Sequence, residues 1–356
     1  MNTNIITLIQ KELAPTEAVL LTGGFTRRYV TGFPSSAGAV LIIPAEGRFL
    51  IDFRYVEKAR QVVKNLTVQL STDLKAEVAE LLQAQGITRL YVETTVLSAA
   101  ALKGWREALA GVDIPDDDRF DRLLGDCRCI KSPQELACIR QAQALTDDTF
   151  TYILDRLTPG RTEREVALDM EFYMRRQGAD GVAFDFIVVS GKNSSLPHGV
   201  PSDKPLQRGD FVTMDFGAAV NGYCSDMTRT VAVGAADEEM RRVYDTVRQA
   251  QEAAFTAIRP GVVCKDVDAV ARTLIDEAGY AGRFGHGLGH SLGLEIHENP
   301  AFNTRCHTVL QTGMVMTVEP GIYLEDRFGV RIEDMVAVTA DGYENLTHSP
   351  KDLLIV

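Results

Sequence analysis

The chain has 356 residues, which is enough for two domains at the usual ~100–200 residues each. Its hydrophobic content of 45% and charged content of 24% are those of a soluble globular protein. The formal net charge of −12 argues against nucleic acid or an anionic membrane as the main partner, and it is compatible with cation binding.

Three features of the sequence indicate a cytoplasmic location. The N-terminal residues lack the basic start and apolar core of a signal peptide. No apolar run approaches the ~20 residues that span a bilayer. The six cysteines form neither a C-x-x-C pair nor a disulfide-scaffold spacing, so we expect them to be reduced thiols.

Residues 1–128 are predicted to form an α/β domain. Residues 76–85 carry helical spacing. The segment has no Gly-rich phosphate loop and no cluster of histidines and acids, so we expect no chemistry from it. Arg27, Arg28 and Tyr29 could reach a neighbouring site, but solvated surface positions are the favoured interpretation. Short apolar runs predict four strands, at residues 39–43, 49–52, 62–69 and 89–93.

A domain boundary is predicted near residue 130, which makes residues 129–356 the second domain. Ser132-Pro-Gln-Glu135 is a capping box with proline at the first helical position. Helical spacing follows and predicts a helix over residues 132–157, which ends at a Thr-Pro-Gly sequence.

An internal repeat follows this helix. Each copy begins with Pro-Gly after a long helix, continues with a valine and a second glycine at the same spacing, and precedes a segment with glycine and histidine. We therefore expect an α+β domain of two similar halves related by a pseudo-twofold, with a ligand cleft between them. The matching positions are Pro159, Val166 and Gly178 in the first copy and Pro260, Val267 and Gly279 in the second.

The segment from Asp215 to Asp226 predicts a β-hairpin. Apolar runs flank an Asn221-Gly222 pair, the strongest short-range signal for a two-residue turn. With this turn, Asp215 pairs with Thr228 and Asp226 lies opposite Gly217. Because side chains alternate between faces, the two aspartates share a face, roughly 7–8 Å apart along a diagonal. The hairpin alone leaves open whether they bind a metal ion or are two acids on a solvated surface.

Further acids and imidazoles later in the chain favour the metal site. His286 and His290 have the spacing of a helical zinc-protease motif, but its glutamate is missing and glycines break the helix, so that motif is rejected. Carboxylates with one imidazole suit Mn²⁺, Co²⁺ or Zn²⁺. His307 and His348 are interpreted as surface residues. The polar residues in Gly-rich, Pro-rich or apolar segments are His198, His286, His290, His297, Glu319, Arg331 and Glu333.

At these residues the second domain resembles the pita-bread metallopeptidases, the family of prolidase, aminopeptidase P and methionine aminopeptidase. The resemblance implies two divalent ions, with Mn²⁺ favoured over Co²⁺ or Zn²⁺. Asp226 and Glu333 would bridge the ions, Asp215 would complete one, and His290 with Glu319 the other. The residues that match the family's five metal ligands in order and in motif are Asp215, Asp226, His290, Glu319 and Glu333.

The resemblance also implies roles for residues that do not bind metal. His198, His286 and His297 match the family's histidines near the substrate, and Arg331 matches an arginine beside the bridging glutamate of proline-specific members. The expected reaction is hydrolysis of an Xaa-Pro bond by a metal-bridged hydroxide. Glu319 would transfer the proton, and His297 would stabilise the oxyanion.

The first domain resembles the creatinase/prolidase N-terminal domain through residues 29–36 and the segment at 130–135. Methionine aminopeptidases lack this domain and creatinase lacks the metal ligands, so the proline-specific branch of the family is favoured. The resemblance also implies a homodimer. The alternatives are a non-catalytic binding protein of this fold and a peptidase with another N-terminal specificity. Ala301 stands where prolidase-type members often carry an arginine, so the choice between dipeptides and longer peptides stays open.

Overall fold

The computed structural model describes residues 3–356. Its contacts divide the chain into two compact units, the first ending at Arg128 and the second spanning Cys129–Val356. No helix of this described range is long and apolar enough to cross a membrane.

The first unit is built around one five-stranded sheet. The strand order is β4-β3-β2-β1-β5, with the two outer pairs parallel and the inner pairs antiparallel. Its elements are α1 (Thr3–Glu12), β1 (Glu17–Leu21), α2 (Gly24–Thr31), β2 (Ala39–Ile42), β3 (Gly47–Ile51), α3 (Phe53–Val62), β4 (Thr67–Leu70), α4 (Leu74–Ala84), β5 (Arg89–Val92), α5 (Ala99–Ala108) and α6 (Arg119–Cys129).

Two local predictions for this unit are wrong. The strand predicted at residues 62–69 starts only at Thr67, because Val62 ends helix α3 and the Val63 N–H donates to the Ala59 carbonyl. Arg27 and Tyr29 are buried rather than solvated. The Arg27 guanidinium donates to backbone carbonyls of its own unit, at Thr22 and Ser35.

The second unit contains the elements that position the candidate site. They are α7 (Pro133–Leu154), α8 (Glu163–Arg176), β6 (Gly181–Val182), β7 (Ile187–Ser190), a 3₁₀ helix (Gly191–Ser195), β8 (Phe211–Phe216), β9 (Ala218–Val220), β10 (Tyr223–Cys224), β11 (Met227–Ala232), α9 (Glu238–Ala257), α10 (Cys264–Ile275), a π-helical turn (Asp276–Tyr280), β12 (Gly289–Ser291), β13 (Glu298–Phe302), β14 (Val315–Val318), β15 (Gly321–Leu324), β16 (Phe328–Arg331), β17 (Asp334–Val338) and β18 (Tyr343–Asn345).

Helix α7 begins as the sequence predicts. Ser132 caps it, and the Glu135 side chain accepts the Ser132 N–H in return. The Tyr223 hydroxyl of β10 donates to the other oxygen of Glu135. The capping box therefore also fixes the hairpin against the start of the helix.

The second unit repeats one order of elements. Helices α7 and α8 precede strands in the order β7-β8-β11, and α9 and α10 precede β12-β14-β17, all antiparallel. A two-stranded hairpin lies between the last two strands of each copy, β9–β10 in the first and β15–β16 in the second. The predicted α/β first domain and α+β second domain with an internal repeat are confirmed.

The repeat places the predicted acidic ligands at equivalent positions. Asp215 lies in β8 and Glu319 directly follows β14, the equivalent strand of the second copy. Asp226 directly precedes β11, and Glu333 directly precedes β17. Each half therefore supplies two carboxylates at the same two places.

Candidate metal centre

The hairpin of the first copy has the predicted register. Val220 pairs with Tyr223, and Asp215 pairs with Thr228. Asn221 and Gly222 have φ angles of 50° and 79°, as a two-residue primed turn requires. The β8–β11 pair and the β9–β10 pair meet at Gly217, where a Cβ atom would collide with the Ser225 carbonyl oxygen. Glycine at this position therefore lets the strands approach closely just before Asp226.

A cavity of about 980 Å³ in the second unit collects the predicted site residues. Apolar side chains form part of its wall, at Phe184, Phe186, Ile187, Val200 and Ile296. The predicted residues that line it are Asp215, Asp226, His290, Glu319, Glu333, His198, His286, His297 and Arg331. His307 and His348, predicted to be surface residues, are exposed and do not line it.

His290 directs its basic nitrogen at carboxylates. Nδ1 lies 3.1 Å from the Ser291 carbonyl oxygen, which can only accept, so Nδ1 carries the proton and Nε2 keeps its lone pair. Nε2 lies 3.5 Å from Asp226 Oδ2 and 3.6 Å from Glu319 Oε1. One ligand atom each from Asp226, His290 and Glu333 fall within 4.8 Å of one another. Acceptors that face acceptors at such distances need a proton or a cation between them.

Two buried carboxylate oxygens in the cavity have no partner among the described residues. They are Asp215 Oδ1 and Glu333 Oε1. The second oxygen of each group is held: Arg331 Nη2 donates to Asp215 Oδ2 at 2.6 Å, and Thr228 Oγ1 donates to Glu333 Oε2 at 2.7 Å. Each carboxylate is therefore oriented with one oxygen free, as a metal ligand held by its outer partners is.

The electrostatics of the protein without a metal ion disfavour the charged form of three acids. Burial, with the neighbouring acids, raises the pKa of Asp226 and of Glu333 well above their usual range. Burial raises the pKa of Glu319 to about 8. Burial, followed by the nearby His297, lowers the pKa of His290 to about 4, so this imidazole is neutral. A divalent cation would compensate the carboxylates and accept the imidazole lone pair, so this donor set fits such an ion.

Arg331 connects several parts of the site. Its Nε donates to Thr228 Oγ1 at 3.0 Å and its Nη1 to the Pro197 carbonyl at 3.1 Å, which holds the loop of the exposed His198. Glu333 lies between two strands, because β16 ends at Arg331 and β17 begins at Asp334. Arg331 accordingly reaches Glu333 through Thr228, and its direct ion pair is with Asp215.

Tyr323 joins Arg331 to His286, a link that the sequence does not reveal. Arg331 Nη1 lies 2.9 Å from the Tyr323 hydroxyl, which lies 2.8 Å from His286 Nε2. Because arginine only donates, the hydroxyl accepts from Arg331 and donates to His286. Burial and the charge of Arg331 lower the pKa of His286 to about 4, and the Gly287 carbonyl accepts from its Nδ1–H. A tyrosine on a β-strand carries no motif, so only the fold identifies it.

Lys131 is a second residue that the sequence analysis did not select. Its side chain is only 1% exposed, and its Nζ contacts Ser291 Oγ at 3.0 Å and Glu298 Oε2 at 3.3 Å. It therefore ties the strand of His290 to the residue after His297. The rings of those two histidines lie 4.5 Å apart. The available signal was a lysine beside the capping box and a glutamate beside a histidine.

Comparison with known proteins agrees with this geometry. The model of metallopeptidase family M24 matches residues 137–340, and that of the creatinase/prolidase N-terminal domain matches residues 10–130. The chain is 42% identical to an uncharacterized peptidase of Bacillus subtilis, YqhT, over 96% of both chains.

Two solved structures extend the likeness to the whole chain. An Xaa-Pro dipeptidase from Bacillus anthracis matches with a TM-score of 0.94 and 40% identity, covering 99% of both chains. An X-Pro aminopeptidase from Thermotoga maritima matches with a TM-score of 0.91 and 35% identity, covering 98% of this chain and 100% of that one.

Proposed function

Because the chain belongs to metallopeptidase family M24, which implies divalent metal ions, we propose that it hydrolyses Xaa-Pro peptide bonds with two such ions. The observation that carries the proposal is the cavity in which two unpartnered carboxylate oxygens and the His290 lone pair converge. The names of the two similar structures, a dipeptidase and an aminopeptidase for Xaa-Pro, support this substrate class.

Five residues would hold the ions. Asp226 and Glu333, at equivalent places in the two halves, would be shared between them. Asp215 would serve one ion, and His290 with Glu319 the other. Carboxylates with one imidazole favour Mn²⁺, with Co²⁺ or Zn²⁺ as alternatives. Such ions, when bound, lower the pKa of water and polarise a carbonyl group.

The protein's own groups would manage protons and charge. Glu319 would take the proton of the attacking water and pass it to the proline nitrogen as that nitrogen leaves. His297, beside His290, stabilises the charge that develops on the carbonyl oxygen. No serine or cysteine nucleophile is needed.

The remaining residues would position the substrate. His198, exposed at the cavity wall, contacts the proline residue, and Arg331 holds its loop through the Pro197 carbonyl. His286, held between the Tyr323 hydroxyl and the Gly287 carbonyl, lines the same wall. The apolar wall side chains suit a pyrrolidine ring, which has no N–H to satisfy.

The proposal includes a homodimer located in the cytoplasm. The family resemblance supports the dimer, and the six free cysteines agree with a reducing compartment. Light scattering of the purified protein tests the dimer: a single species of one-chain mass would overturn that part.

Two measurements test the activity. Elemental analysis of protein purified without chelator should find about two transition-metal ions per chain. A mass-spectrometric competition with Mn²⁺ should then show cleavage of Xaa-Pro dipeptides or longer Xaa-Pro peptides, with matched Xaa-Ala peptides as the control. Stoichiometric metal with no cleavage of any Xaa-Pro peptide would overturn the activity, and absence of metal would favour a binding role.

A further inference from the structure

Two cysteines of the second unit lie together behind the cavity wall. Cys264 is the first residue of helix α10 and is fully buried, and Cys306 is half-buried and packs against the same hydrophobic cluster. The Cys264 N–H donates to the Thr308 carbonyl at 2.9 Å. The Lys265 N–H donates to the Cys306 carbonyl at 3.0 Å. These two hydrogen bonds hold the segments that carry the cysteines side by side.

Several hydrogen-bond donors converge on the Cys306 sulfur. They are the N–H and the hydroxyl of Thr308, the N–H of Ala301 and the thiol of Cys264. Partial burial acts to raise the pKa of the Cys306 thiol, but these donors outweigh it and the pKa falls below its ordinary value. Because the thiolate is the nucleophilic form of cysteine, this sulfur is the more reactive of the pair.

Cys264 has the opposite character. Burial, followed by the nearby Cys306 sulfur, raises the pKa of the Cys264 thiol to about 12, so it stays protonated and donates to Cys306. A low-pKa, accessible thiol beside a second thiol that can resolve it is the arrangement of redox-sensing cysteines. The second thiol needs no access to solvent, because it reacts only with its neighbour.

The Cys306 sulfur is coupled to the cavity wall. It accepts from the N–H of Ala301 in β13, and Ala301 lines the cavity together with residues 303–305. A Cβ at Gly287 would lie 2.7 Å from the Phe302 carbonyl oxygen, so this segment packs closely against the opposite backbone. A displacement of Cys306 therefore reaches the wall of the cavity.

We propose that peroxide oxidises Cys306, and that the product forms a reversible disulfide with Cys264 which slows cleavage in the neighbouring cavity. The effect on cleavage rests on the Xaa-Pro peptidase activity proposed above, whereas the disulfide itself does not. Because an S–S bond is only about 2 Å long, its formation draws Cys306 towards α10 and away from the Ala301 N–H.

The chemistry takes place in two steps. The Cys306 thiolate attacks one oxygen of hydrogen peroxide, the O–O bond breaks, and the hydroxide that leaves takes a proton from water. The sulfur is now a sulfenic acid. The Cys264 sulfur then attacks it, the S–O bond breaks, and the leaving hydroxide takes the Cys264 proton to become water. Two thiols and one peroxide thus give one disulfide and two waters, and a dithiol such as dithiothreitol reverses the oxidation.

Peptide mapping tests the disulfide without any reference to activity. Mn²⁺-loaded protein is treated with hydrogen peroxide, its remaining thiols are alkylated, and it is digested without reductant for mass spectrometry. A linked pair of peptides that contain Cys264 and Cys306 should appear, and dithiothreitol should separate them. Cys127 is the internal control, since it is also half-buried but burial and the charge of Asp126 raise its pKa. It should stay reduced.

Cleavage of an Xaa-Pro dipeptide by the same samples tests the effect on activity. Oxidation should lower kcat/KM about 10-fold or more, because a small displacement near the reacting groups is enough for such a loss. Dithiothreitol should restore kcat/KM, and the metal content should stay constant. Cys306→Ser should keep its activity in peroxide. Cys129→Ser, which alters the other cysteine near Cys264, should lose activity as the wild type does.

The outcomes separate the disulfide from the activity. If the map shows no Cys264–Cys306 link, or links Cys264 to Cys129 instead, the proposed site is overturned. If the link forms while kcat/KM is unchanged, or if Cys306→Ser is inactivated like the wild type, the effect on cleavage is overturned. If the reduced protein cleaves no Xaa-Pro compound, the proposed activity fails and the effect on cleavage fails with it, while the peptide map still decides the disulfide.

Discussion

Glu333 and Asp334 are neighbours in the sequence, but their buried carboxylates have different surroundings. Both are almost fully buried. The Asp334 oxygens accept from nitrogen atoms of Arg229 at 2.7 Å, Lys351 at 2.9 Å and Asn345 at 2.8 Å, so both oxygens have partners. The Glu333 side chain accepts a hydrogen bond from the Thr228 hydroxyl at Oε2, and its Oε1 has no partner among the described groups.

The pKa values of the two carboxyls separate in the same way. Burial acts to raise the pKa of Asp334, but the charges of Arg229 and Lys351 outweigh it and the pKa falls. For Glu333 burial and the nearby acids raise the pKa together. A closed cluster of buried charges is costly to break, whereas an open cluster is available to a cation.

The largest expected effect comes from removing a ligand of the open cluster. Asp226→Ala should lose bound metal and lower kcat/KM by about 10³-fold or more, since one of the shared ligands is gone. Elemental analysis and Xaa-Pro cleavage measure the two losses. Asp245→Ala, an exposed acid on α9, should change neither. Full activity with two bound metals in Asp226→Ala would contradict the ligand assignment.

Breaking the closed cluster should affect stability. Arg229 is 1% exposed and also donates to the carbonyls of Glu333, Ser349 and Pro350. Arg229→Ala should lower the free energy of unfolding by about 3–5 kcal/mol, because Asp334 loses its main buried partner. Urea-induced unfolding measures the change.

The control for that variant is an exposed ion pair. Arg140 and Glu344 lie 2.7 Å apart with about half of each side chain exposed. Arg140→Ala should cost less than about 1 kcal/mol. If Arg229→Ala and Arg140→Ala lower the free energy of unfolding equally, the buried cluster is no more important to stability than the exposed ion pair.

A residue beside the open cluster should change turnover alone. His297→Ala is expected to keep both metals and to lower kcat about 100-fold, as loss of an oxyanion donor does. His307→Ala, an exposed histidine outside the cavity, should leave kcat unchanged. Metal loss in His297→Ala would show that the ligand set is misassigned.

The smallest effect is a pH dependence of the open cluster. In chelator-treated protein, Glu319 keeps its proton up to about pH 8, whereas an unfolded glutamate is ionised far below that. The unfolded state then binds fewer protons, so the free energy of unfolding should fall by up to about 2 kcal/mol between pH 6.5 and 8. His286 and His290, with folded pKa values of about 4, oppose this fall only weakly. Their unfolded imidazoles, with a pKa near 6.5, still bind part of a proton at pH 6.5 and lose it as the pH rises.

Two controls identify the source of that slope. Glu319→Gln should reduce the slope without abolishing it, because Asp226 and Glu333 also have raised pKa values. Saturating Mn²⁺ should remove the slope, because the ion replaces the protons. Urea-induced unfolding at each pH measures both. A metal-free protein that becomes more stable from pH 6.5 to 8 would contradict the raised pKa of Glu319.

The sequence predicts those parts of the structure that depend on local rules. The Asn221-Gly222 turn sets the register of the hairpin, since both residues accept a positive φ. The capping box at Ser132 and Glu135 starts helix α7 for the same local reason. The Pro-Gly repeat locates the two halves, because each half uses the same helix ending.

The remaining features depend on partners distant in the chain. The ion pair of Arg331 with Asp215 forms only when the two halves meet. The hydroxyl link through Tyr323 lies within the second half, but it joins that residue to His286, 37 positions away. The apolar residues around Val62 fit a strand as well as the end of a helix, so the pattern alone does not distinguish them. In the structure Val62 is the last residue of helix α3. The burial of Arg27 depends on carbonyl groups that the folded chain brings around it.

The two-residue turn of the hairpin also fixes an order of folding events. Hairpins with such turns form in about 1–10 μs, because their strands are adjacent in the chain. Asp215 and Asp226 therefore come together early, while Glu319 and Glu333 must wait for a chain segment from the other half and its loop-closure entropy. The first half would then present a pair of carboxylates before the second half docks. Because the second half supplies the remaining ligands, we expect an ion bound to all of them to favour the docked state.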